Sequence, residues 1–102
     1  MPNFVKVATV SQVAPGTGMV ATVNDKEVAV FNVDGTFHAI DNVCKHRGGP
    51  LGEGELEGDT VTCPWHAWQY NVKTGACLTK EGLTQDKYEV RVEDGDVKIA
   101  LP

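Results

Sequence analysis

Two short stretches decide the reading: Cys44-Lys45-His46-Arg47-Gly48-Gly49-Pro50-Leu51 and Cys63-Pro64-Trp65-His66-Ala67-Trp68. Each supplies one cysteine and one histidine, in the pattern Cys-x-His-x16-Cys-x2-His. Thiolate and imidazole are strong ligands for soft and borderline metals. Two such loops can close on a metal centre from two sides. Two cysteines plus two histidines also suit structural zinc, although zinc fingers usually group Cys with Cys and His with His. The chain holds three cysteines in all. An odd number argues against a disulfide framework and for metal or redox chemistry.

Outward from the two loops the sequence reads as β almost throughout. Strands are expected at Phe4–Ala8, Met19–Val23, Glu27–Val33 and Thr36–Ile40, with Asp34-Gly35 as a hairpin turn. Ser11 to Gly18 reads as a loop, broken by Pro15, Gly16 and Gly18. Short strands follow at Glu55–Glu57, Thr60–Cys63 and Gln69–Val72. Ala76 to Asp86 is irregular. Lys87–Val92 and Asp96–Ala100 read as a last hairpin around Asp94-Gly95. No segment has a helical period. Many short strands joined by turns suggest an all-β chain, an antiparallel sandwich or partial barrel.

The paired loops and their surroundings closely resemble the Rieske family of iron–sulfur proteins. Ala39-Ile40-Asp41, the Arg47–Leu51 tail, Cys63-Pro64-Trp65-His66 and Thr74-Gly75 all carry the likeness, as does the strand pattern on both sides. The resemblance implies one [2Fe–2S] cluster. Cys44 and Cys63 would hold one iron, and His46 and His66 the other through Nδ1. It implies the Rieske fold, as a single domain over 1–102 with a cluster-binding part at about 42–78. Two Fe(III), two sulfides and two thiolates sum to about zero charge, against about −2 with four thiolates, so this ligand set raises the reduction potential.

The resemblance also places the chain within the class. High-potential members carry a cross-linked cysteine pair at positions matching Gly49 and Trp65, and a serine at the position of Trp68. Neither feature is present, which implies the lower potential of ferredoxins that serve aromatic-ring oxygenases. Tyr70 matches a tyrosine that bonds a cysteine sulfur in high-potential members, so it is expected either to raise the potential modestly or to be an ordinary strand aromatic in the core. The family's covering loop usually contains proline. The matching stretch Thr79–Asp86 has none.

Single residues carry a functional and an ordinary reading side by side. Gly48 and Gly49 let backbone N–H groups approach a cluster sulfide closely, or are turn glycines. Trp65 and Trp68 shield the cluster, or pack the core. Lys45 and Arg47 meet an acidic partner, or are solvated. Glu53, Glu55, Glu57 and Asp59 form an acidic run, either solvated or docking a basic reductase. Cys77 is expected to be a small buried hydrophobe, and His38 a structural residue.

The chain has 102 residues, 41% hydrophobic and 23% charged, with a net charge of −5. That fits one soluble domain with one modest core. The acidic balance disfavours nucleic acid as a partner. No apolar run is long enough for a membrane helix. Met1 to Lys6 lacks the pattern of a signal peptide, so the cytoplasm is the expected location. The function implied is that of a single-electron carrier, not an enzyme. It would take electrons from a flavin-dependent ferredoxin reductase and pass them to a terminal oxygenase or another redox enzyme. The alternative is the small Rieske subunit of a larger redox enzyme, such as NADH-dependent nitrite reductase.

Overall fold

The computed structural model describes residues 3–23, 25–43, 49–65 and 67–101. Ten strands run through them: β1 (Asn3–Thr9), β2 (Thr17–Val23), β3 (Lys26–Val33), β4 (Thr36–Asp41), β5 (Glu55–Glu57), β6 (Thr60–Thr62), β7 (Gln69–Asn71), β8 (Lys87–Tyr88), β9 (Val90–Glu93) and β10 (Asp96–Leu101). They form three antiparallel sheets with orders β1-β10-β9, β2-β3-β4-β8 and β5-β6-β7. Among the described residues the helical elements are two three-residue 3-10 turns, Val10–Gln12 and Leu51–Glu53. None is long and apolar enough to cross a membrane.

The sheet β2-β3-β4-β8 is the middle layer. Successive side chains of a strand point to opposite faces. On β3, Ala29, Phe31 and Val33 join an apolar cluster with Leu51, Val61, Tyr70 and Val72. Val28 and Val30 join a second cluster with Ala8, Val13, Val97 and Ile99. Strand β4 divides likewise, with Ile40 in the first cluster and Phe37 and Ala39 in the second. The expectation of one core is therefore wrong. The unbroken apolar run of β3 is the reason: a strand covered on both faces reads as a continuous hydrophobic stretch rather than an alternating one.

The hairpins follow their turn residues. Asp34 and Gly35 have φ of 51° and 93°, and Asp94 and Gly95 have φ of 51° and 80°. Two left-handed residues in succession match the right-handed twist of the flanking strands. The expected strand Lys87–Val92 is not one element. It divides at Glu89 into β8, which pairs with β4, and β9, which pairs with β10. The Glu89 carbonyl accepts a bond from the Ala100 amide at 2.9 Å while the chain crosses between sheets. The expected loop Ser11–Gly18 is also shorter. It opens within the Val10–Gln12 turn, whose Gln12 side chain accepts from the Thr9 amide at 2.8 Å, and β2 already begins at Thr17.

His38 lies on β4, on the same face as Ile40, toward β5-β6-β7. Its ring is half-buried and its Nε2 is fully buried with no hydrogen-bond partner among the described residues. Burial, then the positive charges of Lys73 and Lys87, push its pKa below the usual histidine value, against a smaller opposing effect of Asp59. Below about pH 6.5 the unfolded chain therefore binds more protons at this site than the folded one. Stability from His38 is present above that pH and is lost as pH falls through the lowered folded value. The urea midpoint should drop between pH 7.5 and 5, and the drop should be shallower in His38→Gln. Parallel curves for the two proteins would refute this role.

Candidate metal centre

Of the four expected ligands, Cys63 lies within the described residues. Cys44, His46 and His66 lie outside them, as do Lys45, Arg47 and Gly48. What the fold does define is the neck of each ligand loop and the contact between the two necks.

The first loop leaves β4 at Asp41. Its neck closes where Val43 bridges Pro50 in antiparallel fashion. Asn42, buried at 1% exposure, organises this closure. Its amide donates to the Glu27 carbonyl at 3.2 Å, and its carbonyl accepts from the Leu51 amide at 2.8 Å. Its side chain donates to Glu27 Oε1 at 2.9 Å and accepts from the Gly52 amide at 2.7 Å. All four groups of this residue are thus used, as burial of polar atoms demands.

The second loop joins β6 to β7. The Cys63 amide donates to the Trp68 carbonyl at 2.7 Å and closes its neck. Ala67 turns the chain with φ of 59°, a conformation that costs a non-glycine residue energy. Cys63 is 1% exposed. The Trp65 amide donates toward its Sγ from 3.4 Å.

The two necks touch at Gly49. A Cβ built there would stand 2.7 Å from Cys63 Sγ, 3.0 Å from Trp65 Cγ and 3.1 Å from Trp65 Cβ. Gly49 is thus a close-approach glycine, and what it approaches is the Cys63 sulfur. The same contact shows that positions 49 and 65 face each other, as the resemblance to cross-linked relatives implies.

The neighbours sort the remaining expectations. Trp65 is 50% exposed, so it is not core packing; it flanks the Cys63 sulfur from the solvent side. Trp68 is partly buried against the cluster of Val61, Cys63 and Tyr70. Tyr70 is fully buried in that cluster, and Cys77 is the buried small residue expected of it, at 7% exposure. Its Sγ accepts from the Lys80 amide at 3.3 Å. Glu53, Glu55 and Glu57 are exposed and Asp59 half-buried. Glu57 lines a shallow groove of about 290 Å³ with Thr60, Thr62, Gln69 and Leu78.

The proline-free third loop is pinned without proline. Tyr70 bridges Cys77 and Ala76 bridges Thr84. The Leu78 amide donates to the Gln69 carbonyl at 2.7 Å, and the Cys77 amide to the Leu83 carbonyl at 2.9 Å. Gln85, at 2% exposure, reaches back toward the first loop. Sequence reasoning missed the two buried amides beside the loops, Asn42 and Gln85. Each sits in a polar, turn-rich stretch, where an amide reads as solvent-exposed.

A buried thiol with an amide aimed at its sulfur, and a second loop held against it by a missing side chain, fits a thiolate ligand set between two loops. Comparison with known proteins agrees. The model of the Rieske [2Fe-2S] domain matches residues 3–98. The ferredoxin component of naphthalene 1,2-dioxygenase/salicylate 5-hydroxylase systems from Ralstonia sp. is 33% identical over 101 residues, covering 97% of this chain and 96% of that protein. The 3-phenylpropionate/cinnamic acid dioxygenase ferredoxin subunit of Escherichia coli K12 is 46% identical over 79 residues, covering 74% and 73%. A chain in the solved complex of reduced oxygenase and oxidized ferredoxin in carbazole 1,9a-dioxygenase superposes with a TM-score of 0.85 at 33% identity, covering 95% and 92%. The chain belongs to the Rieske [2Fe–2S] domain family, as an electron-carrying ferredoxin with a single cluster and not itself a catalyst.

Proposed function

We propose that Cys44 and Cys63 hold one iron and His46 and His66 the other, and that this chain carries electrons from a flavin-dependent reductase to a terminal oxygenase. The whole chain acts as one domain, with 42–78 as its cluster-binding part, and it works in the cytoplasm. The observation that carries the reading is the packing of Gly49 against Cys63 Sγ. It brings the chain that leads from Cys44 and His46 onto the sulfur of the second loop. When bound, the cluster supplies a one-electron couple. The protein's part is to hold the ligands, exclude water and offer a surface to partners.

The residues divide that work. The buried position of Cys63, the Trp65 amide and the Gly49 backbone keep bulk water from the sulfur. Asn42 and the Val43–Pro50 bridge hold the first neck in place. Trp65 and Val43 are exposed at 50% and 46%. They rim the two necks, since Val43 faces Pro50 and Trp65 faces Gly49. Apolar side chains around a redox centre suit brief docking over a small area. Relatives are named as ferredoxin components of dioxygenase systems, and one matching chain lies in an oxygenase–ferredoxin complex. Both support an oxygenase as the acceptor.

Iron and zinc analysis with EPR of the reduced protein tests the ligand assignment. Wild type should be red-brown, with two irons per chain and a Rieske-type signal averaging below the free-electron value. Cys63→Ser should abolish the signal. A colourless protein holding one zinc would overturn the assignment. Gly49→Ala should force Sγ or Trp65 aside, since 2.7 Å is shorter than real Cβ contacts. Overpacking of this kind costs about 1–3 kcal/mol, read as a lower thermal midpoint and changed g-values. Trp65→Ala should slow reduction of the oxygenase about tenfold, because buried Trp anchors at interfaces contribute about 1–2 kcal/mol or more. Its EPR spectrum should stay that of wild type. An unchanged transfer rate would remove Trp65 from the docking surface.

A further inference from the structure

We propose that Gln85 is a positioning residue for the first ligand loop, fixing the peptide that leads into Cys44 and doing for this chain what a rigid covering loop would do. The inference rests on Cys44 being a ligand. It starts from a side chain whose placement ordinary packing does not explain. Gln85 is buried to 2% exposure, and its Nε2 donates to the Asp41 carbonyl at 2.9 Å and to the Val43 carbonyl at 2.8 Å. Both amide hydrogens are used. The reverse orientation would set an oxygen against two carbonyl oxygens, so the direction of the amide is fixed. Its Oε1 is buried with no partner among the described residues. A residue needed only to fill this space would be apolar and would leave no acceptor stranded. What the amide adds is its pair of N–H bonds.

Those bonds fall on a particular peptide. The Val43 carbonyl belongs to the same planar unit as the Cys44 nitrogen. Holding the carbonyl fixes the plane, and with it the direction in which the chain enters Cys44. The backbone on either side of Gln85 is anchored too. Its amide donates to the Gly75 carbonyl at 2.7 Å, and the Asp86 carbonyl accepts from the Asp41 amide at 2.8 Å. Gly75 has φ of 81°, and a Cβ there would lie 2.5 Å from the Gln85 carbonyl oxygen. The turn after β7, the third loop and the first loop's entrance are therefore joined through one residue. Asn42 holds the same three-residue segment from the opposite side, through Glu27, Leu51 and Gly52. The neck cannot shift without breaking bonds to one amide or the other.

The test compares holoproteins: wild type, Gln85→Met, Gln85→Asn and Asn32→Leu. Asn32 is the control, a buried amide that donates to the Val13 carbonyl at 2.8 Å and accepts from the Gly35 amide at 2.7 Å, on the face of β3 opposite Phe31 and Val33. Loss of visible absorption in excess chelator, reduced-state g-values and midpoint potential are read beside the thermal midpoint. Gln85→Met should lose its cluster about tenfold faster, the lower end of what removing an outer support of a metal ligand does. Its g-values and potential should shift. Asn32→Leu should lower the thermal midpoint and leave g-values and potential at wild type. If Gln85→Met does not fold, Gln85→Asn decides, since its amide falls short of both carbonyls and should give the same labile cluster. Wild-type spectra and cluster lifetime in the Gln85 variant, or changes no larger than those of Asn32→Leu, overturn the proposal. A wild-type protein without iron overturns the ligand assignment instead.

Discussion

Strand β3 has no wet face, and the rest of the molecule follows from that constraint. Val28 and Val30 must be covered on one side, Ala29, Phe31 and Val33 on the other. Two further sheets supply the cover, one from the chain ends and one from the middle of the sequence. The sheet from the middle of the sequence, β5-β6-β7, therefore sits on the ligand-loop side of β3 because burial requires it there. Val61 and Tyr70 from that sheet complete the cluster that contains Cys63. The candidate centre is built at the rim of a core, which is how two short loops obtain a dry sulfur without a helix or a large domain to enclose it.

What the structure describes of the two ligand loops is their necks. These are held by polar groups taken out of water: Asn42 and Gln85 beside the first, the Cys63–Trp68 bond across the second. Buried amides are costly unless satisfied and specific in direction once they are. They suit a site whose ligands must be aimed. Apolar packing alone would tolerate sliding of a loop by a fraction of an ångström, and a hydrogen bond to a named carbonyl does not.

Much of this was legible in the residues. The period-two runs, Asp34-Gly35 and Asp94-Gly95 gave most strands and both tight hairpins, and the paired Cys/His loops gave the family. Gly49 was legible as a close approach because it follows so soon after a histidine expected to be a ligand. The second core was not foreseen, although the run Val28-Ala29-Val30-Phe31 carried the signal. The division of Lys87–Val92 was not legible, because both halves have strand character and only tertiary pairing separates them. Gln85 gave no local sign at all. A glutamine among Thr, Asp and Lys looks solvated, and its burial depends on a carbonyl more than forty positions earlier in the chain.

The acidic run also has a bearing on self-association. Strand β5 is three residues long and lies at the edge of its sheet, with Glu55 and Glu57 exposed. An edge strand offers unpaired amides and carbonyls to any other extended chain. Two carboxylates on so short a strand make a second copy bring like charge against like charge before any backbone bond can form. Whatever these side chains do for partners, their charge works against a small, strand-rich chain adding copies of itself edge to edge.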